Sequence, residues 1–355
     1  MSIAIRLSLL LLAATWLLGA CERTEQVHNG RFLAFGTLTD ISIAGTSREQ
    51  AESAIAALEE DFAIMHKAWH AWAPGPLTRT NNLLAEGVRF AAPPSVLTLM
   101  QISARLARQS DNLFNPAIGR LVKLWGFQQD TIENQRPPDD AAIARLVKAN
   151  PTMQDITIDG IHARSNNPAL QLDFGAIGKG YGIDLAIEHL REMGIENAIV
   201  NSGGDLRAIG SRGGHPWRIA IHSPSGAGAL GFVHVSGDES VFTSGDYERN
   251  YLWKGRRYHH IIDPRNGYPA QGTRSVTVIH HNATTADAAA TALFVAGPKD
   301  WYRIARQMGI RYVLLIDGNN VAHMNPAMAE RIELADKDQP VNISKPLNGQ
   351  EKEKK

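Results

Sequence analysis

The sequence predicts an α+β fold, on two observations. Helical and strand-like segments are interleaved without a regular βαβ repeat, and the long stretch from Ile195 to Val278 reads as short strands joined by turns. The composition is that of an ordinary globular chain, with 355 residues, 44% hydrophobic and 20% charged. Its 36 Lys+Arg balance 36 Asp+Glu, so the formal net charge is zero. Balanced charge leaves no electrostatic grip on a polyanion, and no nucleic-acid partner is expected. A single cysteine excludes an intrachain disulfide and a Cys-rich zinc site.

Residues 1–20 read as an address. Arg6 precedes the apolar run Leu7 to Leu18, which is shorter than the roughly 20 residues of a spanning helix. Leu18-Gly19-Ala20-Cys21 resembles a bacterial lipobox, which implies lipidation of Cys21 and a mature chain of 355 − 20 = 335 residues. The expected product is a periplasmic body anchored by lipid to a membrane, the inner one favoured and the outer one left open. Residues 21–30 read as a polar tether, 31–340 as the body, and 341–355 as a disordered tail ending Glu351-Lys352-Glu353-Lys354-Lys355.

Residues 31–44 alternate as a strand pair around Gly36. Ser47 to Trp69 is a helix: Ala51, Ile55, Leu58, Phe62, Met65 and Trp69 step by 4, 3, 4, 3 and 4, behind Ser47 as N-cap. Pro74-Gly75-Pro76 stops it. Pro94 to Ser110 and an Asp-capped Asp139 to Asn150 are further helices. Residues 152–174 are strands broken at Asp159-Gly160 and Asn166-Asn167-Pro168. Lys179 to Met193 is a helix closed at Gly194. Trp217–His222, Phe232–Val235 and Tyr258–Ile262 are strands; Thr285–Val295 and Asp300–Met308 are helices; Tyr312–Ile316 is a strand.

Some motifs fail on context. Gly226 to Gly231 fits G-x-G-x-x-G, but it follows a turn and leads into the strand-like Phe232-Val233-His234-Val235, whereas a dinucleotide fingerprint opens a helix. His259-His260 and His280-His281 are poor zinc chelators, because adjacent strand residues point to opposite faces.

Four segments carry chemistry. Asp173-Phe174-Gly175-Ala176-Ile177-Gly178-Lys179-Gly180 runs from a strand through glycines into a helix headed by a lysine. Free N–H groups there suit a phosphate, and a cation at a helix N-terminus makes sense with an anion beside it; a tight turn with an exposed Lys179 explains the pattern equally well. Asn201-Ser202-Gly203-Gly204-Asp205 is a second glycine turn, suited to close approach or to a plain hairpin. Ser244-Gly245-Asp246-Tyr247-Glu248-Arg249 precedes Tyr258 to Gly267, where a histidine beside a carboxylate can accept a proton or be purely structural. Asp287 and Thr291 lie four residues apart on one helix face, a carboxylate and a hydroxyl of the hard-donor kind that Mg2+ takes. Asp287 could equally serve the helix dipole, with Thr291 facing the core.

Together, in order, these segments resemble the ApbE family, the FAD:protein FMN transferases. The similarity runs from about Gly36 to about Ile316 and includes Phe35-Gly36-Thr37, Leu113 to Gly119 and Leu124-Trp125-Gly126-Phe127. The resemblance implies a body related to T-fold proteins, with a flavin cleft between two halves. It implies Mg2+ held by the Ala176 carbonyl, Asp287 and Thr291, and His260 as the base. It implies FAD contacts from Phe35, Gly36, Thr37, Trp72, Asp111, Asn112, Leu113, Asp173, Lys179, Gly203, Gly204, Asp246 and Ile261. Phe35 stands where the family usually has Met, and Phe174-Gly175 replaces the commoner Leu-Ser after the aspartate.

The implied reaction is transfer of FMN from FAD to a Thr or Ser hydroxyl of a partner protein, with release of AMP. Two alternatives stand beside it: an FAD pyrophosphatase, using the same residues with water in place of the hydroxyl, and a non-catalytic FAD-binding lipoprotein.

Overall fold

The computed structural model describes residues 26–129, 131–132, 135–226 and 228–347. The signal segment and Cys21 lie outside the described residues. In chain order the elements are β1 (Val27–Ala34), β2 (Thr37–Ala44), α1 (Arg48–Trp69), α2 (Pro76–Glu86), β3 (Phe90–Ala91), α3 (Pro94–Gln109), α4 (Gly119–Leu124), α5 (Asp140–Ala149), β4 (Ile156–Asp159), β5 (His162–Ser165), α6 (Gly178–Glu192), β6 (Asn197–Ser202), β7 (Asp205–Gly210), β8 (Trp217–His222), β9 (Ala229–Val235) and β10 (Gly237–Gly245). There follow β11 (Asn250–Trp253), β12 (Arg256–His259), β13 (Thr273–His280), α7 (Ala283–Gln307), β14 (Tyr312–Asp317), β15 (Ala322–Met324), α8 (Pro326–Ala329), β16 (Ile332–Leu334) and β17 (Val341–Ile343).

A nine-stranded sheet organises them, in the order β1-β2-β6-β7-β10-β13-β14-β15-β17. Neighbours are antiparallel except the last pair, β15 and β17. The strand period sorts side chains between two cores. Phe242, Val278 and Val313 join the large core built with α1, α3, α6 and α7. Their neighbours Val241, Ile279 and Leu314 join the second core, against Trp217, Ile219 and Val233 of the small β16-β9-β8 sheet. A third cluster gathers α4, α5 and the β11–β12 hairpin around fully buried Trp125. The Trp125 indole donates to the Gly267 carbonyl at 2.7 Å.

Most expected elements are present. Ser47 caps α1 by accepting from Gln50 N at 3.2 Å. Phe35 (φ 51°) and Gly36 (φ 73°) form the two-residue turn between β1 and β2, both in the left-handed region that such hairpins require. Other expectations need correction. Asp139 sits at the N-cap of α5 but makes no side-chain cap hydrogen bond. The proline–glycine break after α1 starts a new helix, α2, with Pro76 in its first turn. The two helices expected after Thr285 form one element, α7, broken at Gly297 (φ 71°) beside Pro298. The β12 strand ends at His259, short of the expected Ile262. The segment expected as a tether already holds strand structure, since Val27 to Gly30 pair with Ala44 to Ile41. Residues 341–343 of the expected tail pair with β15, and Leu347 is buried. Among the described residues, no helix is long and apolar enough to cross a membrane.

Candidate active site

The site forms where α6 and α7 cross. Adding a Cβ at Gly180 would put it 2.4 Å from the Ala283 carbonyl oxygen, so the two backbones touch there only because residue 180 is glycine. The Gly180 N–H donates to Asp287 Oδ2 at 2.9 Å. Gly180 is the third residue of α6, so its N–H is one of those a helix start leaves free, and Asp287 takes it up. The Ala176 carbonyl, just before the helix, has no hydrogen-bond donor among the described residues. Thr291, one turn along α7, has its hydroxyl 3.3 Å from Ser244 Oγ at the end of β10.

Lys179 is half-buried and ion-paired with Asp205. The lysine is therefore not a free surface cation. Burial opposes its charge, but Asp205, Glu248 and Asp287 outweigh that and raise its pKa. Asp205 also accepts from the Thr243 N–H at 2.8 Å, which ties the glycine turn to β10. Burial pushes the Asp287 carboxyl up to about 7, against the pull of Lys179 and the Gly180 N–H and with the push of Asp205 and Glu248. The result is a cluster of carboxylates around one lysine, with a buried carboxylate that gains by acquiring a cation.

A contact at the start of α7 fixes this arrangement. Asp184 on α6 accepts from the main-chain N–H groups of Ala283 and Thr284, both at 2.9 Å, and from the Thr284 hydroxyl and Asn282 amide, both at 2.5 Å. Arg207 Nη1 completes its shell at 2.5 Å. Asp184 thus satisfies the free N–H groups that open α7, one turn before Asp287.

His260 follows the end of β12. Its main-chain N–H donates to the Arg249 carbonyl at 3.0 Å, and its Nδ1 faces the same oxygen at 3.3 Å. That partner assigns the proton to Nδ1 and leaves the Nε2 lone pair free. Burial, then the nearby His259, Arg249 and Lys179, lower its pKa to about 3. The Arg249 guanidinium grips the Phe127 and Gln129 carbonyls at 2.9 and 2.7 Å and lies 6.0 Å from the Trp72 ring. From half-exposed Trp72 a run of rings leads through His70 and His66 to Phe35.

The remaining expected residues fall in different places. Gly203 and Gly204 (φ 66° and 101°) make the turn that delivers Asp205, and the Gly203 N–H bonds to Leu38 O beside Thr37. Asp173 accepts from Gln128 Nε2 at 2.7 Å and from Gly175 N at 2.8 Å. Ile261 is buried, with its carbonyl bonded to Ala270 N. Phe35 has one face already covered by Trp69, stacked at 5.8 Å. Asp111 is taken up by Arg303 and Gln307 in the last turns of α7, far along that helix from Asp287. Asn112 is in the left-handed region and Leu113 is buried in the large core. Asp246 lines a cavity with Arg257 and Arg274 that none of Phe35, Trp72, Asp173, Lys179 and Asp287 lines. Three residues of the site were not singled out from sequence: Asp205, Asp184 and Arg249. Asp205 carried a signal, a carboxylate placed directly after a Gly-Gly turn.

Among the described residues, no group of three or more His, Cys, Asp or Glu is placed to hold a metal. The expected donor set is different in kind: one carboxylate, one hydroxyl and one carbonyl. The open Ala176 carbonyl and the raised Asp287 carboxyl fit it.

The ApbE family model matches residues 35–314. This chain belongs to the ApbE family. A relative from Rhodobacter capsulatus, an FAD:protein FMN transferase, is 43% identical over 317 residues, which is 88% of this chain and 60% of that protein. This chain therefore spans 60% of that relative's length. An ApbE protein of Thermotoga maritima superposes with a TM-score of 0.76 at 31% identity, covering 83% of this chain and 95% of that one. The apo form of the Pseudomonas stutzeri flavinyl transferase ApbE gives 0.75 at 29% identity, covering 86% and 97%. The mixed α+β architecture is thus that of ApbE structures.

Proposed function

We propose that this chain transfers FMN from FAD to a Thr or Ser hydroxyl of a partner protein, releasing AMP, with Mg2+ as its metal. One observation carries the reading. Lys179 and Gly180, from one stretch, meet Asp287, from another more than a hundred residues away, and Thr291 lies one turn further along the Asp287 helix. The donor set takes a hard divalent cation, and the lysine takes a diphosphate oxygen. The names of the relatives supply the substrate pair.

Mg2+, held by the Ala176 carbonyl, Asp287 and Thr291, would supply positive charge to the diphosphate oxygens. The chain's own residues do the rest. Lys179 gives its charge to a phosphoryl oxygen, and Asp205 keeps it oriented. Asp287 and Thr291 hold their oxygens in place because Asp184 and Gly180 fix the start of α7. The acceptor hydroxyl attacks the FMN phosphorus, its proton passes to His260 Nε2, and the P–O bond to AMP breaks. Phosphoryl transfer of this kind needs mainly positioning and electrostatics. We place the flavin along the Phe35–Trp72 rim, in a cleft between the α1 side and the β11–β12 side. We also place the mature chain in the periplasm, lipid-anchored through Cys21, on the strength of the lipobox-like residues 18–21.

Mass spectrometry of periplasmic proteins co-expressed with the enzyme tests the transfer, through an FMN adduct on a Thr or Ser. AMP release with free FMN alone, and no adduct on any protein, overturns it in favour of hydrolysis. Incorporation of labelled palmitate into the wild type but not into Cys21→Ala tests the anchor.

A further inference from the structure

His66 and His70 stand one turn apart, at the last turn and the C-cap of α1. Their rings meet edge to face at 5.1 Å. Each uses the same atom for the same task. His66 Nδ1 accepts the main-chain N–H of Phe35 at 3.2 Å. His70 Nδ1 accepts those of Trp72 and Ala73, at 3.4 and 3.1 Å. The two aromatic residues placed along the flavin are thus each held, through the main chain, by a histidine lone pair. An accepting Nδ1 puts the proton of the neutral ring on Nε2. Two histidines four residues apart on a helix could also pair on a metal, but a metal needs a bare nitrogen, and here Nδ1 is taken and Nε2 is protonated.

Phe35 needs such a hold. Its φ of 51° is left-handed backbone, easy for glycine or asparagine in a two-residue hairpin turn and costly for a bulky residue. Residues in such strain persist where the surroundings fix them, and they gather at ligand sites. So held, the Phe35 ring stacks on Trp69 at 5.8 Å and closes on α6, where a Cβ added at Gly182 would stand 3.0 Å from Phe35 Cε2. Gly182 is one turn along α6 from Lys179. At the other end of the rim, the Trp72 ring lies 6.0 Å from the Arg249 guanidinium, and the Arg249 carbonyl holds His260. One cap therefore ties the rim to the helix of the lysine, and the other ties it to the residue that holds the base.

We propose that His66 and His70 are positioning residues for FAD, whose Nδ1 lone pairs fix Phe35 and Trp72 against the flavin. The inference rests on the flavin placement given above. Flavin fluorescence titration without Mg2+ reads affinity, and AMP release with Mg2+ reads KM and kcat. His66→Leu and His70→Leu are each expected to weaken FAD binding about tenfold, a hydrogen bond's worth, and to raise KM by more than they lower kcat. Asparagine carries an acceptor oxygen where Nδ1 stood, and glutamine carries one where Nε2 stood. His66→Asn and His70→Asn should return FAD affinity to within about threefold of the wild type, and the glutamine variants should not. Rescue by glutamine in place of asparagine overturns the proposal and makes the ring itself a flavin contact. An equal loss in the leucine, asparagine and glutamine variants also overturns it, because the lone pair would then be irrelevant. So does wild-type affinity in the leucine variants. If Phe35→Ala and Trp72→Ala both bind FAD as tightly as the wild type, the flavin placement fails first and takes this inference with it.

Discussion

Gly180 and Asp287 are joined by a 2.9 Å hydrogen bond across a helix crossing that has no room for a methyl group. A Cβ at 180 would sit 2.4 Å from Ala283 O and 2.8 Å from Asp287 Cβ. The first of these is backbone at the start of α7 and cannot rotate away. Gly180→Ala is therefore expected to push α7 outward by a few tenths of an ångström or more. Misplacing a catalytic group by about 1 Å costs on the order of a hundredfold in rate. Overpacking costs about 1–3 kcal/mol in stability. Steady-state AMP release and urea denaturation measure the two effects. Wild-type turnover in this variant would mean that the crossing does not position Asp287.

Asp184 is a second handle on the same helix, and it acts from beneath. It holds the first N–H groups of α7 and one side of Arg207. Arg207 keeps a two-pronged pairing with Asp238 at 2.7 and 2.8 Å, so it is not stranded when Asp184 is removed. Asp184→Ala is expected to cost about 3 kcal/mol, the low end for breaking a buried pair. Asp184→Asn keeps the shape but sets an amide against N–H donors, and should recover only part of that. Chemical denaturation of the two variants checks the order.

Much of the fold was legible because local signals agreed with the tertiary structure. Helix α1 was readable from its 3.6-residue period and its Ser47 cap, and the β1–β2 turn from Gly36. Helix α2 was not, because Pro74-Gly75-Pro76 reads as a stop, whereas α1 already ends at Trp69 and Gly75-Pro76 opens the next helix. That Asp287 and Thr291 share one helix face was legible in their spacing. What holds Lys179 near Asp287 did not show: the partner is Asp205, which reaches the lysine through the sheet pairing of β6 with β7. Asp184 was invisible for a related reason. On α6 it looks like one more polar helix residue, and its role appears only when α7, about a hundred residues later, packs against it.

The raised pKa of Asp287 has a thermodynamic consequence with a definite sign. An unfolded aspartate titrates near 4, whereas this carboxyl is pushed up to about 7 by burial. A group whose folded pKa is raised costs stability as pH climbs from the unfolded value toward the folded one, and the full cost is present above about 7. A bound divalent cation offsets it. Mg2+ is thus expected to raise the melting temperature more at about pH 8 than at about pH 5.5, where the carboxyl holds its proton. In Asp287→Asn that pH-dependent increment should vanish, along with most of the AMP release. Thermal melts with and without Mg2+ at both pH values read this directly. An equal increment at the two pH values would separate the metal from Asp287.

His260 and Asp287 should be separable in a pH–rate profile. His260 is held neutral through the physiological range, its pKa lowered to about 3 by burial and by nearby positive charge. Substrate phosphates bring negative charge, which raises that value, but from a low starting point. Loss of the base therefore belongs to the acid side of the profile. Burial pushes the Asp287 carboxyl up to about 7, and metal competes with its proton, so its limb moves to lower pH as Mg2+ is increased. Two acid-side limbs are expected in AMP release, and only the upper one should shift with Mg2+ concentration. His260→Ala should slow turnover by about 100- to 10,000-fold, the range for a general base. It should leave FAD affinity near the wild-type value, since among the described residues the ring makes no ion pair, and its contacts run to the Arg249 carbonyl and the Phe127 ring. If His260→Ala instead abolished FAD binding at normal kcat, the histidine would be a nucleotide contact, and another group would have to take the proton.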